Sequence, residues 1–419
     1  MRIVHLATTR YGGAGRAAWR QHQALLQAGV DSWFLSLDAQ PGHKYEHWAT
    51  LPSPTPTLWQ RLTGAQQAAR QAFKPNTQLE AFARQIRNTG RQPEAEAWSL
   101  PYSHWQLHRH PLVRSASLVN LHWVSGLLDY PSFFAGIHCP VVWTLHDMQP
   151  FSGLFHYEGD ARQNEPLFGP HDQQALTIKI QALQQAAQPL QWVAPSHWMA
   201  AKAMASPVLQ GNSCSTIPYS LPLEQFKPQD KASCRQQLGL DIHKNYMLFI
   251  SKHITTPRKG WIYLHQAMET LARQHPQWAM IVVGEDAAQL PAASYTRIAA
   301  GNVSSNETLC TWYNAADVVA LPSLEDNLPN TLLEALACGR PILSTPLGGM
   351  AAHIEAQTGN GWVAAPQMLP AALQQIMNQP CWQQEAAIRH YAEVQFAPAI
   401  QASYYLNLYQ QALPSCTIV

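Results

Sequence analysis

The chain has 419 residues, 46% hydrophobic and 13% charged, with 27 Lys+Arg against 26 Asp+Glu for a net charge of +1. That length predicts two or three domains with real cores, not disorder, and the near-zero charge excludes a global field for nucleic acid or anionic membrane, leaving only local patches. The seven cysteines (139, 214, 234, 310, 338, 381 and 416) are odd in number and scattered without C-x-x-C, as reduced thiols are. Most of the 19 histidines stand outside H-x-x-x-H or H-E-x-x-H spacing, so no metal site is expected. The N-terminal run MRIVHLATTR is too short for a signal peptide, and no stretch nears the roughly 20 apolar residues of a membrane span, so a soluble, cytoplasmic protein is expected.

In chain order, residues 1–8 read as a strand that breaks at Tyr11-Gly12-Gly13. A helix is predicted from about Arg16 to Gly29, a good residue for its end, and a strand over 32–37 completes a βαβ unit. Residues 52–115, rich in Pro, Gln, Ala and Arg, read as a helical excursion. Strands resume at 117–121, 140–145 and 190–194. The stretch IPYSLPLEQFKP, 217–228, has three prolines and no periodicity, and marks a boundary. Beyond it come a strand at 246–251 and a helix from about Gly260 whose Trp261, Leu264, Met268 and Leu271 form one stripe. Strands follow at 278–283, 317–321 and 341–345, with a helix through Cys338 stopped by Gly339. Two α/β domains are predicted, 1–218 and 219–396, followed by a helical 397–419. Each would hold an open parallel sheet that binds ligands beyond its carboxyl strand ends, and the two would face each other across a cleft.

The densest chemistry lies in LPSLEDNLPNTLLEALACGRPILSTPLGG, 321–349. Asp326 falls in a strand-to-helix loop and Glu334 eight residues later, inside the helix. Asn330 or Thr331 is the expected N-cap, and the first-turn N–H groups make an anion seat. A diphosphate there would direct its sugar towards Asp326 and its ribose towards Glu334.

The run P-S-x-x-D-x-x-P-N-T-x-x-E-A-x-A-C-G-x-P-I resembles the donor-binding signature of the retaining, two-Rossmann (GT-B) glycosyltransferases of family four. In that family two acids eight apart hold the donor sugar and the ribose. The first is usually Glu; here it is Asp326, one methylene shorter. The resemblance implies a donor site with Leu328, Pro329, Asn330, Thr331 and Glu334, and a base pocket near Gly284 and Val303. Arg258-Lys259-Gly260 resembles the family's Lys-Gly, which gives Lys259 to the donor phosphates; the second cation is Lys252 or Arg258. Gly12-Gly13-Ala14-Gly15-Arg16 resembles its glycine loop, and His146, in Thr144-Leu145-His146-Asp147, its central-cleft histidine. IPYSLPLEQFKP resembles the interdomain linker, and the family's last helix, here about 397–412, returns to the first domain.

Asn120-Leu121-His122-Trp123 and the run 147–153 are similar to a bacterial subgroup of exopolysaccharide assembly. The resemblance implies a retaining, metal-independent hexosyltransferase with a nucleoside-diphosphate sugar as donor and no cofactor. His146, Asp326 and Lys259 would be the catalytic residues. It also implies a carbohydrate or lipid-linked acceptor and no nucleic-acid partner. Arg61, Arg70, Arg84, Arg87 and Arg91 outnumber Glu80, Glu94 and Glu96 in 52–115, which fits peripheral contact with the inner face of the cytoplasmic membrane. A nucleotide-sugar epimerase or hydrolase of the same fold, or a non-catalytic binding module, is the alternative. A dinucleotide dehydrogenase is disfavoured, because no clean G-x-G-x-x-G follows the first strand.

Overall fold

The structure is a computed structural model that describes residues 1–38, 47–51, 72–356, 359–379 and 384–413. It divides into two compact units, one of Met1–Pro218 with the C-terminal stretch from Gln401, the other Tyr219–Ile400.

The first unit carries β1 (Arg2–Leu6), α1 (Gly12–Gln27), β2 (Asp31–Ser36), β3 (Trp48–Thr50), α2 (Thr77–Asn88) and α3 (Pro111–Arg114). It continues with β4 (Leu118–Leu121), α4 (Tyr130–Gly136), β5 (Val141–Thr144), α5 (Glu158–Gln184), β6 (Leu190–Ala194), α6 (His197–Met204) and β7 (Cys214–Thr216). Its strands pair in the order β3-β2-β1-β4-β5-β6-β7, all parallel. β4 and β5 are buried along their whole length, as strands covered by helices on both faces must be. The chain reverses its direction of growth between β1 and β4, so the loops after those strands flank the switch point where such sheets bind ligands.

The second unit holds α7 (Lys231–Gln237), β8 (Asn245–Ile250), α8 (Trp261–Leu271), β9 (Trp278–Val283), β10 (Thr296–Gly301), α9 (Asn306–Ala315) and β11 (Val318–Leu321). There follow α10 (Asn330–Ala337), β12 (Ile342–Ser344), α11 (Ala351–Glu355), β13 (Gly361–Val363), α12 (Leu369–Asn378) and α13 (Glu385–Phe396). The strand order is β10-β9-β8-β11-β12-β13, again parallel, with the switch point between β8 and β11. The predicted stripe of α8 (Trp261, Leu264, Met268, Leu271) is buried against Met247, Phe249 and Met280. By area bookkeeping each such side chain stabilises the unit by about 1.5–3 kcal/mol.

α14 (Pro398–Ala412) sends Tyr405 and Tyr409 into the first unit, against Ile3, Leu118, Val142 and Val193. Their hydroxyls are not wasted there: Tyr405 bonds the Thr144 hydroxyl at 3.0 Å, and Tyr409 donates to Asn120 and accepts from Gln21. Residues 221–226 lie against the second unit. Arg389 donates to the carbonyls of Leu223, Phe226 and Ala337, and Leu221 N–H bonds Phe396 O. A proline-rich boundary here is a fastened strap.

Two sequence expectations change, and one long helix has no sequence expectation. Helix α1 starts at Gly12, not Arg16, so the glycines form its first turn. Gly15 has no room for a side chain, since a Cβ would stand 2.5 Å from Thr9 O, and loop and helix pack backbone on backbone. The excursion 52–115 is not one helical block: 52–71 lies outside the described residues, and 72–115 holds one long helix, α2, among turns punctuated by Pro75, Pro93 and Pro101. The long helix of this unit is instead α5, whose Pro166 and Pro170 disguised it.

Candidate functional site

At the switch point of the second sheet, the loop after β8 ends in a 3-10 turn, Pro257–Lys259, and Gly260 in the left-handed region at φ 70. A Cβ on Gly260 would collide with Pro322 O, so only glycine lets this loop lie against the loop after β11. The contact is completed by Leu324 N–H on Arg258 O at 2.7 Å and by Arg258 Nη1 on Glu325 O at 2.7 Å. Two loops are thereby stitched into one rim.

That rim concentrates charge. Lys259 Nζ donates to Asp326 Oδ2 at 2.6 Å, and Arg258 Nη1 stands 3.5 Å from the same oxygen. Ser323 Oγ adds a bond at 3.3 Å, and Asn327 N–H bonds Oδ1 at 3.1 Å. Asp326 is only 8% exposed, and burial alone would raise its pKa. The charges of Lys259 and Arg258, with the bonds from Lys259 and Ser323, outweigh burial and hold it below the ordinary carboxylate value. Lys259 and Arg258 thus bring two cations to the Asp326 carboxylate. Lys252, the other candidate cation, is exposed on the same loop, so the structure sets Arg258 rather than Lys252 beside Asp326.

Helix α10 opens on this rim. Its N-cap is Pro329, which makes no side-chain cap, so Asn330 and Thr331 are the first two helical residues and neither is the cap. Leu328 is buried under the turn. The helix has no acid in its first turn, so its positive end faces the rim without an internal counter-charge. Glu334, one turn in, is 2% exposed and accepts from the Tyr313 hydroxyl at 3.0 Å. Gly284 closes the end of β9, with its N–H on Gly301 O at 2.8 Å and no space for a Cβ beside Ser251 O.

In the first unit, Gly12 and Gly13 begin α1 behind Tyr11, which gives no side-chain cap. Asp38 ties the preceding loop by accepting from the Thr9 hydroxyl at 2.8 Å and Arg10 N–H at 2.5 Å. His146 lies two residues beyond β5 and is 9% exposed. Burial, partly opposed by the charge of Asp147, lowers its pKa to about 4, so it is neutral at pH 7. Asp147 itself turns to Trp123 Nε1, His156 Nδ1 and Gln149 N–H at 2.8, 2.7 and 3.0 Å. Among the described residues no three His, Cys, Asp or Glu side chains converge as metal ligands, and no helix is long and apolar enough to cross a membrane.

Residues 244–379 match the family described as Glycosyl transferases group 1. Over that stretch the chain is similar to the group 1 glycosyltransferases. Lys259, Asp326 and Glu334 all fall within it. D-inositol 3-phosphate glycosyltransferase of Segniliparus rotundus is 26% identical over 280 residues, 63% of this chain and 59% of that protein. The chain thus spans less than two thirds of the length of the curated relatives it matches. Among solved structures, sucrose-phosphate synthase of Thermosynechococcus elongatus has TM-score 0.65 at 19% identity, covering 98% of this chain and 99% of that one. Anabaena HepE in complex with UDP-glucose has TM-score 0.62 at 15% identity, covering 98% and 100%. The fold is the GT-B fold of two Rossmann-like units.

Sequence reasoning about these residues missed three supports. Tyr313, under Glu334, carries no motif of its own and lies in an unbroken buried run of α9, Leu309 to Ala315, so no period singles it out. The pairing of Lys259 with Asp326 spans 67 residues and has no local signal. The histidines His5, within β1, and His122, just after β4, are bonded in series to His146, and nothing local in the sequence joins them.

Proposed function

We propose that the chain transfers a sugar from a nucleoside-diphosphate sugar to a hydroxyl acceptor, with retention of anomeric configuration and without a metal ion. The observation that carries this reading is the Arg258–Lys259–Asp326 rim at the β8/β11 switch point, with the open end of α10 beside it, within the stretch similar to the group 1 glycosyltransferases. Transfer breaks the bond from the anomeric carbon to the phosphate oxygen and forms one to the acceptor oxygen. The acceptor proton leaves with the departing phosphate. Charge therefore builds on the nucleoside diphosphate, and preorganised cations and helix N–H groups lower that barrier. Lys259 and Arg258 serve this purpose, Asp326 orients the sugar hydroxyls, and Glu334 holds the ribose. Leu328, Pro329, Asn330 and Thr331 line the diphosphate seat, with Gly284 at the base. From the first unit, Gly12, Gly13 and His146 act on the sugar side.

A uridine nucleotide is the first donor to test, since the HepE neighbour holds UDP-glucose. The acceptor is a carbohydrate, lipid-linked in exopolysaccharide synthesis, reached from the inner face of the cytoplasmic membrane. Arg84, Arg87 and Arg91 support that docking because all three are exposed, while Phe82 and Ile86 of the same segment are buried against Phe155 and Phe168. The contact would be electrostatic, without an inserted apolar face. A thermal-shift panel of UDP-, GDP-, ADP- and dTDP-sugars tests the donor site, since a ligand at 100 times its Kd stabilises by about 2.7 kcal/mol. No shift with any of the four would sink the reading.

A further inference from the structure

Three thiols of the second unit lie in one cluster: Cys234 of α7, Cys310 of α9 and Cys338 at the carboxyl cap of α10, all buried. Two of them touch, with Cys310 Sγ 3.8 Å from Cys338 Sγ. Two amides frame Cys310, with Gln229 Nε2 at 3.6 Å and Asn314 Nδ2 at 3.4 Å from its sulfur. Both amides are held that way round by their oxygens. Gln229 Oε1 accepts from the Cys234 thiol at 3.3 Å, and Asn314 Oδ1 accepts from Gln229 N–H at 2.9 Å. A sulfur that faces two amide N–H groups and a second thiol is set up to carry negative charge. The bond from the Cys338 thiol does most to lower the pKa of Cys310, and against the opposing effect of burial it comes down to about 6. Burial, then the same bond, raises Cys338 well above the ordinary thiol value. The pair is therefore asymmetric: one sulfur is the nucleophile, and the other keeps its proton.

Cys310 also lies one side chain below an opening. Lys227 and Gln229 line a cavity of about 400 Å³ together with Asn306 and Glu307 of the first turn of α9, ample for a molecule of hydrogen peroxide. Two of these lining residues touch the sulfur itself, Gln229 through Nε2 and Lys227 through its carbonyl oxygen at 3.5 Å. Swinging the Gln229 amide aside therefore joins the cavity to Cys310.

We propose that Cys310 and Cys338 are a redox-active dithiol: hydrogen peroxide entering from the cavity oxidises Cys310, and Cys338 resolves the product into a disulfide that ties α9 to α10. In the first step the Cys310 sulfur bonds to one peroxide oxygen and the O–O bond breaks. The other oxygen leaves as hydroxide and takes up the proton that Cys310 had lost, giving water. In the second step the Cys338 sulfur bonds to Cys310, the S–O bond breaks, and the oxygen leaves with the Cys338 proton as a second water. The two thiols lose two electrons and the peroxide gains them. The sulfurs must close from 3.8 Å to about 2.0 Å. Cys338 supplies that movement, because it lies at the end of α10 rather than inside it, next to Gly339 in the left-handed region at φ 70. The same two helices carry Tyr313 and Glu334, whose bond at 3.0 Å lies one turn from each cysteine. Drawing the cysteines together displaces that joint, so oxidation should weaken nucleotide binding. This consequence rests on the donor-site reading above; the dithiol does not.

The test treats the reduced full-length protein with a small excess of hydrogen peroxide, blocks the remaining thiols with N-ethylmaleimide and maps cross-linked peptides by mass spectrometry. The expected product is one peptide pair joining Cys310 to Cys338. Cys338→Ala should stop at a sulfenic acid on Cys310, captured by a cyclic 1,3-diketone, and Cys310→Ala should leave Cys338 reduced. Recovery of both as free thiols, a link from Cys310 to Cys234 instead, or a sulfenic acid on Cys338 in Cys310→Ala would each overturn the proposal. Should either variant fail to fold, the cross-link map of the unsubstituted protein decides alone. The nucleotide Kd, by calorimetric titration, should rise about threefold or more on oxidation and return with dithiothreitol. If the link forms and the Kd is unchanged, the coupling to the donor site is overturned and the dithiol stands. No nucleotide binding in the reduced protein would overturn the donor-site reading instead.

Discussion

Replacing Lys259 by Ala separates the observed pairing with Asp326 from the proposed contact with the leaving group. In the unliganded protein Lys259 neutralises Asp326 at 2.6 Å, with the lysine side chain 24% and the Asp326 side chain 12% exposed. Removing one partner of a buried pair costs about 3–5 kcal/mol when the other charge is stranded. Asp326 would not be stranded, because Arg258 at 3.5 Å, Ser323 Oγ and Asn327 N–H remain. The loss in folding stability should therefore be smaller, about 1–2 kcal/mol, close to one charge-assisted hydrogen bond. Turnover should suffer more. A preorganised donor on developing charge is worth about 2.7–4 kcal/mol, or roughly 100–1,000-fold.

Urea denaturation reads the first quantity and release of nucleoside diphosphate reads the second. The double variant Lys259→Ala/Asp326→Asn removes the pair together. It should recover stability relative to Lys259→Ala, since no carboxylate is left short of a partner, yet turnover should stay low. If turnover in Lys259→Ala stays within about threefold, roughly 0.65 kcal/mol, the lysine does not meet the leaving group. If the double variant regains turnover, Lys259 acts only by neutralising Asp326. Either result refutes the reasoning.

Three further outcomes are expected. Glu334→Ala should weaken nucleotide binding by about 1.5–3 kcal/mol, some 10- to 150-fold in Kd, whereas Tyr313→Phe, which removes only the supporting hydroxyl at 3.0 Å, should cost under tenfold by calorimetric titration. Folding stability should fall steeply as the pH drops from about 6.5 towards 4. His146 and His110 are lowered to about 4 and His22 to about 3, so in that window the unfolded chain binds protons the folded one refuses, each group contributing up to about 1.4 kcal/mol per pH unit. Denaturation at stepped pH measures it, and a flat profile over that window would contradict the burial of these histidines. Anionic vesicles should float the protein at low salt and release it at high salt, and a triple Ala variant of Arg84, Arg87 and Arg91 should stay in the soluble fraction; salt-independent flotation would point to an inserted apolar surface instead.

How much of this was legible in sequence follows from the range of the interactions. The strand at 278–283 was readable to the residue, because a parallel strand covered on both faces is an unbroken apolar run, and the one at 190–194 was readable although Gln191 interrupts it. The edge strands β3, β7 and β13 were not: each is three residues long, and none reads as such a run. Helix α8 could be read because its buried stripe keeps one period, while α5 was hidden by Pro166 and Pro170. In the site, Asp326 and Glu334 stand out because one local motif carries both. What holds them does not. Lys259 reaches Asp326 across 67 residues, and Tyr313 reaches Glu334 from another helix. A cap was expected at Asn330 or Thr331 because both residue types favour it, yet Pro329 holds the cap position, its fixed φ suiting the turn into the helix.

The central claim is that this chain breaks the bond between a sugar and a nucleoside diphosphate with retention. The most direct test is to incubate the protein with each nucleotide sugar in turn, with water or a simple glycoside as acceptor, and follow the anomeric proton by NMR before mutarotation. The account predicts release of nucleoside diphosphate from one donor class, with the transferred sugar first appearing in the donor's own anomeric configuration and the signal lost in Lys259→Ala. Appearance of the opposite anomer, or equal release by Lys259→Ala, would contradict it.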